Sequence, residues 1–269
     1  MRDDNAVARQ EDRAWLTVFV DEYLFPISRF ELSKPRQWYT LAEGLPPGKH
    51  TIRVIKETEV GYGRSAVHHL QGIGEGVSEP DRAYSRRIQV IGDSITCGYG
   101  NLCFHPSDEF VTSEECGSLS YASLLAKRLH AELQCVCASG NGIYHDYGCQ
   151  THNLLPELYR YTDKMLWEHY GRVPELWDAD RYKPDIIFIK AGQNDAQFCL
   201  GMDLAVTERS EAELEKRRKG FQLQLKRFLS QIEDMHPNTP VLYILESGMV
   251  LNAAIQAVLN CYKQTRPQA

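Results

Sequence analysis

Three short polar segments contain the residues that are best suited to chemistry in this sequence. Gly92-Asp93-Ser94 brings a hydroxyl directly after an apolar run, Ser139-Gly140-Asn141-Gly142 is a glycine-rich stretch, and Gly192-Gln193-Asn194-Asp195 supplies a side-chain amide. A serine nucleophile that attacks a carbonyl needs hydrogen-bond donors for the charge that develops on the carbonyl oxygen. Backbone N–H groups and an asparagine amide are suitable donors, so the three segments together indicate acyl transfer through a serine.

Each segment taken alone also has a purely structural interpretation. A serine after Gly-Asp often only caps the next helix, and Gly140 is typical of a turn. Asn194 and Asp195 are both residue types that favour turns. A phosphate-binding loop is a further alternative for residues 92–100, but the segment lacks the Gly-Lys-Ser/Thr ending of a P-loop and the GxGxxG of a dinucleotide site. The occurrence of all three segments in this order favours a shared site.

The elements that must position these segments follow an alternating pattern after residue 85. Apolar runs predict strands at 86–91, 134–138, 186–190 and 241–246, and helical periodicity predicts helices at 119–133, 208–235 and 250–262. Such alternation predicts a parallel sheet with helices on both faces, as in flavodoxin-like three-layer α/β/α domains. Ligands bind beyond the carboxyl ends of such strands, and each of the three polar segments follows a predicted strand.

The first third of the chain has a different pattern. Residues 15–25 are rich in β-formers, residues 48–59 alternate apolar and polar side chains, and Gly and Pro mark turns between them. The polar stretch 75–85 is typical of a linker. We therefore predict a small, partial β-sandwich (jelly-roll-like) domain over residues 1–80 and the α/β/α domain over residues 86–269.

The composition excludes several classes of protein. The 269 residues carry a net charge of -6 without a basic stripe, which argues against nucleic-acid binding, and no run reaches the ~20 apolar residues of a membrane span. The polar, acidic N-terminus does not have the form of a secretory signal, so the visible residues favour the cytosol. The eight cysteines form no CxxC pair, so we predict no structural metal; Cys103 and Cys116 are candidates for a disulfide in an oxidising compartment.

The three polar segments resemble three of the four sequence blocks of the SGNH (GDSL-type) hydrolases. The stretches VFVDE and GKHTIRVIKETE, the IGDSITCGYGN block, ASGNGI and the late ESGM are similar to carbohydrate esterase family two. Members of that family are two-domain acetylesterases that remove O-acetyl groups from xylan and related plant polysaccharides. The resemblance covers about residues 15–262, and it implies a β-sandwich followed by the SGNH fold.

The resemblance also implies a role for each matching residue. Ser94 is expected to be the nucleophile that accepts the acetyl group. The backbone N–H groups of Ser94 and Gly140 and the side chain of Asn194 are expected to form the oxyanion hole. Gly142 is the alternative to Gly140 if the loop register differs by two residues. Asp93 is expected to support the turn rather than take part in the chemistry.

Gln193 departs from the family pattern. The family more often has a small or hydroxylated residue at this position, which leaves the geometry of the site beside Asn194 open.

The chemistry that the resemblance implies needs no metal and no organic cofactor, since a serine accepts the acetyl group and water then removes it.

The family's catalytic base has no match in this sequence. In the family a histidine supplies the base from a segment near the C-terminus, after the helix that follows VLYILESGM. His236 precedes the fourth predicted strand, which is the wrong end of the sheet, and we interpret it as a polar loop residue. His105, His145 and His152 follow the first two strands of the sheet. His145 is the best substitute, although we favour a solvent-exposed or substrate-facing role for it.

The resemblance also leads us to expect that pieces are absent at both ends of this sequence. A family sandwich has additional strands before Trp15, and the block with the histidine is expected after Ala269. An incomplete gene prediction and a degenerate gene both fit this pattern. Loss of elements at the end of a sheet exposes apolar surface, so we predict poor stability for the chain as given.

The leading hypothesis is a serine-dependent carbohydrate O-acetylesterase that acts through an acetyl-Ser94 intermediate on an acetylated saccharide or polysaccharide. One alternative is a catalytically inactive saccharide-binding protein that stacks sugars on Trp167, Trp177 and Tyr144. Another is a different SGNH lipase or thioesterase, although the sequence contains no apolar, glycine-rich acyl groove. The identity of the sugar, the oligomeric state and the compartment stay open, with secretion favoured by the habit of the family.

Overall fold

The computed structural model describes residues 13–21, 23, 25–34, 36–72, 76–78, 84–105 and 109–265. The chain divides into two compact units, Met1–Tyr84 with Gly98–Ser120, and Ser85–Cys97 with Tyr121–Ala269. The segment Gly98–Ser120 thus groups with the first unit, although it lies within the predicted range 86–269. The boundaries 1–80 and 86–269 stay a prediction. Most of the predicted linker 75–85 lies outside the described residues.

The first unit contains a three-stranded antiparallel sheet. Its strands are β1 (Trp15–Val20), β2 (Ser28–Glu31) and β3 (Ile52–Lys56), in the order β2-β1-β3. The central strand β1 consists mainly of β-branched and aromatic residues, and its side chains Val18 and Val20 are fully buried. The structure therefore confirms an antiparallel β region ahead of the α/β unit.

Hydrogen bonds within the first unit explain why Gly98–Ser120 belongs to it. The buried carboxylate of Glu57 accepts the backbone N–H of Ser118 at 2.7 Å and its hydroxyl at 2.8 Å. The carbonyl oxygen of Glu57 accepts the backbone N–H of Gly117 at 3.1 Å. Because charge-assisted bonds to a buried carboxylate are strong, this segment is held against the residue that follows β3.

The second unit is the predicted α/β/α domain. Its sheet has the order β5-β4-β6-β7, and all its strands run parallel. The elements in chain order are β4 (Arg86–Gly92), α1 (Ser94–Cys97), α2 (Tyr121–Leu129), β5 (Ala131–Cys137), α3 (Leu155–Arg160), α4 (Lys164–His169), β6 (Ile186–Lys190), α5 (Gln193–Cys199), α6 (Glu211–Met235), β7 (Val241–Tyr243) and α7 (Asn252–Thr265).

Both faces of this sheet are covered by helices. On one face Ile187 and Ile189 pack in a buried cluster with residues of α3, α6 and α7. On the other face Ile88 and Val90 pack against α2. The apolar side chains of α6 that define its predicted face are all buried: Phe221, Leu225, Phe228, Leu229 and Ile232. Strands buried on both faces read as continuous apolar runs, which is the pattern that the sequence shows.

Several predicted boundaries were wrong by a few residues, and local chemistry explains two of them. The helix predicted over 119–133 ends at Leu129, since His130 has a left-handed φ of 50° and β5 begins at Ala131. The helix predicted from residue 208 begins at Glu211, because the side chain of Ser210 accepts the N–H of Glu213 and caps it. The strand predicted over 241–246 ends at Tyr243, and α7 is shifted to Asn252–Thr265.

All eight cysteine thiols are free in the structure. The thiol of Cys103 donates to the carbonyl oxygen of His105, and that of Cys116 donates to the carboxylate of Glu57, so the predicted candidate pair is not bridged. In the part of the chain that the structure describes, no helix combines the length and the apolar character that crossing a bilayer requires.

Candidate functional site

Ser94 is the first residue of α1, directly after the central strand β4, and it is half-buried. The carbonyl oxygen of Asp93 accepts the N–H groups of Thr96 and Cys97 at 2.9 and 3.1 Å, which forms the first turn of the helix. Among the described residues, none accepts a hydrogen bond from the backbone N–H or the hydroxyl of Ser94. Both donors are therefore available to a bound ligand.

The strand register brings the three predicted segments to one edge of the sheet. Gly92 at the end of β4 pairs with Cys137 at the end of β5 and with Lys190 at the end of β6. Ser94 and Gly140 follow these paired residues within two or three positions, as the sequence analysis predicts. Asn194 follows Lys190, the last residue of β6, by four positions.

Asn194 lies in the first turn of α5 rather than in the loop that the sequence analysis predicted. It is buried, and its side-chain amide donates to the carbonyl oxygen of Asn141 at 2.9 Å. Asn141 in turn donates through its own amide to the carbonyl oxygen of Asn153 at 2.6 Å. These bonds tie the amide of Asn194 to the glycine-rich loop beside Gly140.

The loop conformation requires glycine at two positions. Gly140 has a φ of 76°, in the left-handed region that glycine adopts without strain. A Cβ on Gly142 would collide with the carbonyl oxygen of His145 and with the carboxylate of Asp195. The N–H groups of both glycines donate to none of the described residues, but Gly142 is buried, whereas Gly140 is half-buried. This difference favours Gly140 over Gly142 as an oxyanion donor.

The carboxylate of Asp195, in the first turn of α5, holds the same loop through hydrogen bonds to its backbone. It is fully buried and accepts three successive backbone N–H groups, those of Ile143, Tyr144 and His145, at 3.0, 2.6 and 2.9 Å. Burial raises the pKa of Asp195 to about 6, against the opposing effect of these hydrogen bonds. From the sequence, Asp195 was predicted only as a turn residue, because the residues whose N–H groups it accepts lie about 50 positions earlier in the chain.

Asp93 supports the turn of Ser94, as the resemblance implies. Its Oδ1 accepts the N–H of Ile95 at 3.2 Å, while its Oδ2 is buried without a hydrogen-bond partner among the described residues. Burial raises the pKa of Asp93, and the nearby charge of Lys190 opposes this rise.

Lys190, Gln193 and Glu246 form a closed polar cluster at the same sheet edge. Lys190 Nζ lies 3.0 Å from Glu246 Oε2, and the amide of Gln193 donates to the same oxygen at 2.6 Å. Lys190 Nζ also lies 3.4 Å from Gln193 Oε1. Lys190 and Glu246 were not predicted as site residues; the available signal was a charged residue at the last position of each of two neighbouring predicted strands.

None of the described histidines hydrogen-bonds to Ser94. His145 is buried, its Nδ1 has no hydrogen-bond partner among the described residues, and its ring centre lies 3.4 Å from that of Phe198. Its predicted solvent-exposed role is therefore wrong, while the alternative of a substrate-facing role stays a prediction. Burial and the charge of Arg217 lower the pKa of His145. His236 follows the last residue of α6, in the turn before β7 as predicted, and it is buried there.

The remaining candidate histidines lie in exposed positions. His105 is exposed, and His152 is 70% exposed with its Nε2 3.5 Å from Glu168. Neither has a described contact with the residues at the carboxyl ends of β4 and β6.

The aromatic residues considered for sugar stacking serve packing in this structure. The guanidinium of Arg172 lies 5.9 Å from the ring centre of Trp167, and that of Arg181 lies 5.4 Å from Trp177. Tyr144 packs against the apolar cluster between the sheet and α6, with its ring edge on Phe198. The alternative of an inactive binding protein loses its main sequence support.

Two family profiles match the chain. Residues 90–267 match the GDSL-like lipase/acylhydrolase family, and residues 4–75 match the carbohydrate esterase 2 N-terminal family. The first match covers more than half of the chain and includes all three polar segments.

Characterised relatives from two bacteria are similar in sequence. An acetylxylan esterase / glucomannan deacetylase of Cellvibrio japonicus is 27% identical over 263 residues, which is 95% of this chain and 65% of that protein. The cellulase/esterase CelE of Acetivibrio thermocellus is 31% identical over 182 residues, 67% of this chain and 21% of that protein. The chain thus spans less than two thirds of the length of these relatives.

Solved structures share the fold. A family two carbohydrate esterase from Clostridium thermocellum, solved in complex with cellohexaose, superposes with a TM-score of 0.75 at 24% identity, over 95% of this chain and 73% of that one. The acetyl xylan esterase Est2A from Butyrivibrio proteoclasticus superposes with a TM-score of 0.76 at 20% identity, over 96% and 73%. The fold, the three polar segments and the longer profile match agree: the chain belongs to the GDSL-like lipase/acylhydrolase (SGNH) family, and its first third matches the N-terminal family of carbohydrate esterase 2.

Proposed function

We propose that this chain is a serine-dependent carbohydrate O-acetylesterase that removes acetyl groups from xylan or a related plant polysaccharide. The observation that carries the proposal is the position of Ser94. Its hydroxyl and its backbone N–H both lack a described acceptor, at the end of the central strand and in register with the ends of β5 and β6. The names of the relatives in Cellvibrio japonicus and Acetivibrio thermocellus support the same activity.

In the proposed reaction, Ser94 Oγ attacks the carbonyl carbon of the acetyl ester. The N–H groups of Ser94 and Gly140 and the amide of Asn194 donate to the oxyanion of the tetrahedral intermediate. A general base takes the hydroxyl proton of Ser94 during this attack. The C–O bond to the sugar then breaks, the sugar oxygen takes up that proton from the base, and acetyl-Ser94 remains. Water attacks this ester in the second half-reaction, which releases acetate and restores the hydroxyl of Ser94.

The buried carboxylate of Asp195 and the amide of Asn194 give this site a preformed polar frame. Asp195 holds the backbone of the glycine-rich loop, and Asn194 is tied to the same loop through Asn141. Preorganised donors stabilise a developing charge without the cost of reorientation during the reaction. A general base that takes the proton of Ser94 must come within hydrogen-bond distance of its hydroxyl.

The test is acetate release from acetylated xylan by the chain, beside Ser94→Ala and Ser247→Ala. Ser247 is an exposed serine in the segment after β7 and serves as the matched control. We expect release by the parent chain and by Ser247→Ala, and loss of activity by about a million-fold in Ser94→Ala. Equal release by the parent chain and Ser94→Ala refutes the proposal.

His145→Gln, measured in the same assay, tests the base. If His145 supplies the base in this chain, the variant loses activity to the level of Ser94→Ala. If its activity stays close to that of the parent chain, His145 is a packing residue and the base is a different group.

A further inference from the structure

The polar cluster of Lys190, Gln193 and Glu246 has no part in the proposed acyl transfer. It lies at the carboxyl ends of the strands and brings a cation, an anion and an amide into mutual contact. The side chain of Lys190 is only 13% exposed, whereas that of Glu246 is 43% exposed. The side chain of Lys190 is therefore the more deeply buried partner, and the carboxylate of Glu246 is the group that solvent or a ligand can reach.

The hydrogen bonds of Glu246 leave one of its oxygens unused. Lys190 and Gln193 both contact Oε2, and no described residue donates to Oε1. The backbone of Glu246 is held as well, since its carbonyl oxygen accepts the amide of Asn252 at 2.6 Å and the N–H of Met249 at 3.3 Å. The backbone and Oε2 of Glu246 are therefore both held in place by hydrogen bonds, and Oε1 is left to accept hydrogen bonds from a ligand.

The cluster is adjacent to the predicted nucleophile and oxyanion hole. Lys190 pairs with Gly92, two residues before Ser94, and Gln193 directly precedes Asn194. The charges of Lys190 and Glu246 also act on the carboxyl group of Asp93, in opposite directions. The cluster therefore lies at the same edge of the sheet as the residues that are predicted to hold the acetyl ester.

A saccharide ester brings neutral hydroxyl groups to such a position. Each hydroxyl donates one hydrogen bond and accepts others, so a carboxylate oxygen and an amide carbonyl are good acceptors for neighbouring hydroxyls. Hydrogen bonds to a charged acceptor are about twice as strong as those between neutral groups. The contact of Lys190 Nζ with Glu246 Oε2 is suited to hold the carboxylate in one orientation for this purpose.

We propose that Glu246, held by Lys190 and Gln193, binds hydroxyl groups of the sugar that carries the acetyl ester and so selects saccharide esters over simple acetate esters. The proposal rests on the proposed function of Ser94. It also gives Gln193 a role that the small residues more common at this position in the family do not offer, since its amide donates to Glu246 Oε2.

The first arm of the test measures KM and kcat of Glu246→Gln on acetylated xylan and on 4-nitrophenyl acetate, which has no sugar hydroxyls. We expect KM for acetylated xylan to rise by about 10- to 100-fold, with turnover of 4-nitrophenyl acetate within about two-fold of the parent chain. Gln193→Ala is the second variant and is expected to shift KM in the same direction by a smaller factor.

Glu132→Gln is the matched control. Glu132 is 34% exposed and pairs with Arg87 at 3.3 Å at the amino ends of β4 and β5, the opposite end of the same sheet. It is expected to leave both substrates unaffected. An equal loss on both substrates in Glu246→Gln, or no loss on either, overturns the proposal.

A binding arm separates failure of this proposal from failure of the proposed function. Binding of xylotetraose is measured by calorimetry in the Ser94→Ala background, with and without Glu246→Gln. We expect the added substitution to weaken binding by about ten-fold, whether or not the parent chain releases acetate. Unchanged binding overturns the proposal, while an active parent chain that is silenced by Ser94→Ala leaves the acetylesterase activity standing.

Discussion

The carboxylate of Asp195 accepts the backbone N–H of Tyr144 at 2.6 Å, and the neighbouring N–H groups of Ile143 and His145 complete the contact. A helix that follows β6 thereby fixes the conformation of the loop that follows β5. The predicted oxyanion donors Gly140 and Asn194 lie on these same two elements. Asp195 is therefore a positioning residue for the proposed site rather than a turn residue.

Asp195→Asn is expected to lower kcat on acetylated xylan by about 100-fold and to destabilise the fold by ~2–4 kcal/mol. An amide offers one oxygen in place of two, and its NH₂ group opposes the backbone N–H groups of the loop. Asp185→Asn is the control, because Asp185 accepts one backbone N–H, that of Arg87, at the other end of the sheet. Full activity of Asp195→Asn in steady-state kinetics contradicts the positioning role.

The activity is expected to fall as the pH drops through about 6, where Asp195 takes up a proton. The protonated carboxyl is a weaker acceptor for the three N–H groups of the loop. The effect of Asp195 on stability has the opposite sign: because its folded pKa lies above 3.8, its contribution is complete below pH 3.8 and is lost as the pH rises through about 6. A pH profile of kcat/KM without a step near 6 argues against this prediction.

Asn194→Ala is expected to lower kcat by about 100- to 1,000-fold with little change in KM, as loss of one oxyanion donor does. The donor acts on the charge of the transition state, so ground-state binding is nearly unaffected. Asn260→Ala removes an exposed asparagine of α7 and is the control. If kcat is retained and KM alone rises, Asn194 binds substrate but does not stabilise the oxyanion.

Gly142→Ala is expected to destabilise the second unit by ~2–4 kcal/mol, measured by urea unfolding. The added methyl group collides with the carbonyl oxygen of His145 and the carboxylate of Asp195, neither of which has room to move. Gly61→Ala is the control, since a Cβ there meets nothing within 4 Å and the backbone is not left-handed. A Gly142→Ala variant as stable as the parent chain shows that the loop is looser than described.

The stability of the first unit is expected to decline with rising pH because of Glu115. Burial, together with the charges of Glu59 and Glu57, raises the pKa of this fully buried carboxyl to about 8. The folded form binds the proton more tightly than the unfolded chain, so the contribution of Glu115 is complete below pH 4.5 and is lost between pH 4.5 and 8.

The corresponding variant is Glu115→Gln, compared with the parent chain by urea unfolding at pH 5, 6.5 and 8. We expect it to remove this slope and to gain stability relative to the parent chain at pH 8, on the order of a few kcal/mol. Glu109→Gln alters an exposed carboxyl and is the control. A parent chain and a Glu115→Gln variant with parallel pH profiles contradict the raised pKa.

The fold class and the location of the three polar segments were predictable from the sequence, because they depend on local patterns. Apolar runs and helical periodicity identified the strands and the long helix α6 with its buried face. The order of strands and helices then implied a parallel sheet, whose strands all end at one edge. Helix ends were less predictable: His130 ends α2 through a left-handed φ, which a histidine does not signal.

Tertiary structure alone determined which side chains meet at this edge. The contacts of Asp195 with Tyr144 and of Lys190 with Glu246 join residues 51 and 56 positions apart. Such contacts depend on the parallel register of β4, β5, β6 and β7, and composition or spacing along the chain does not report it. The sequence by itself therefore determined the family, the architecture and the candidate nucleophile, while burial and strand register determined which polar groups contact one another around it.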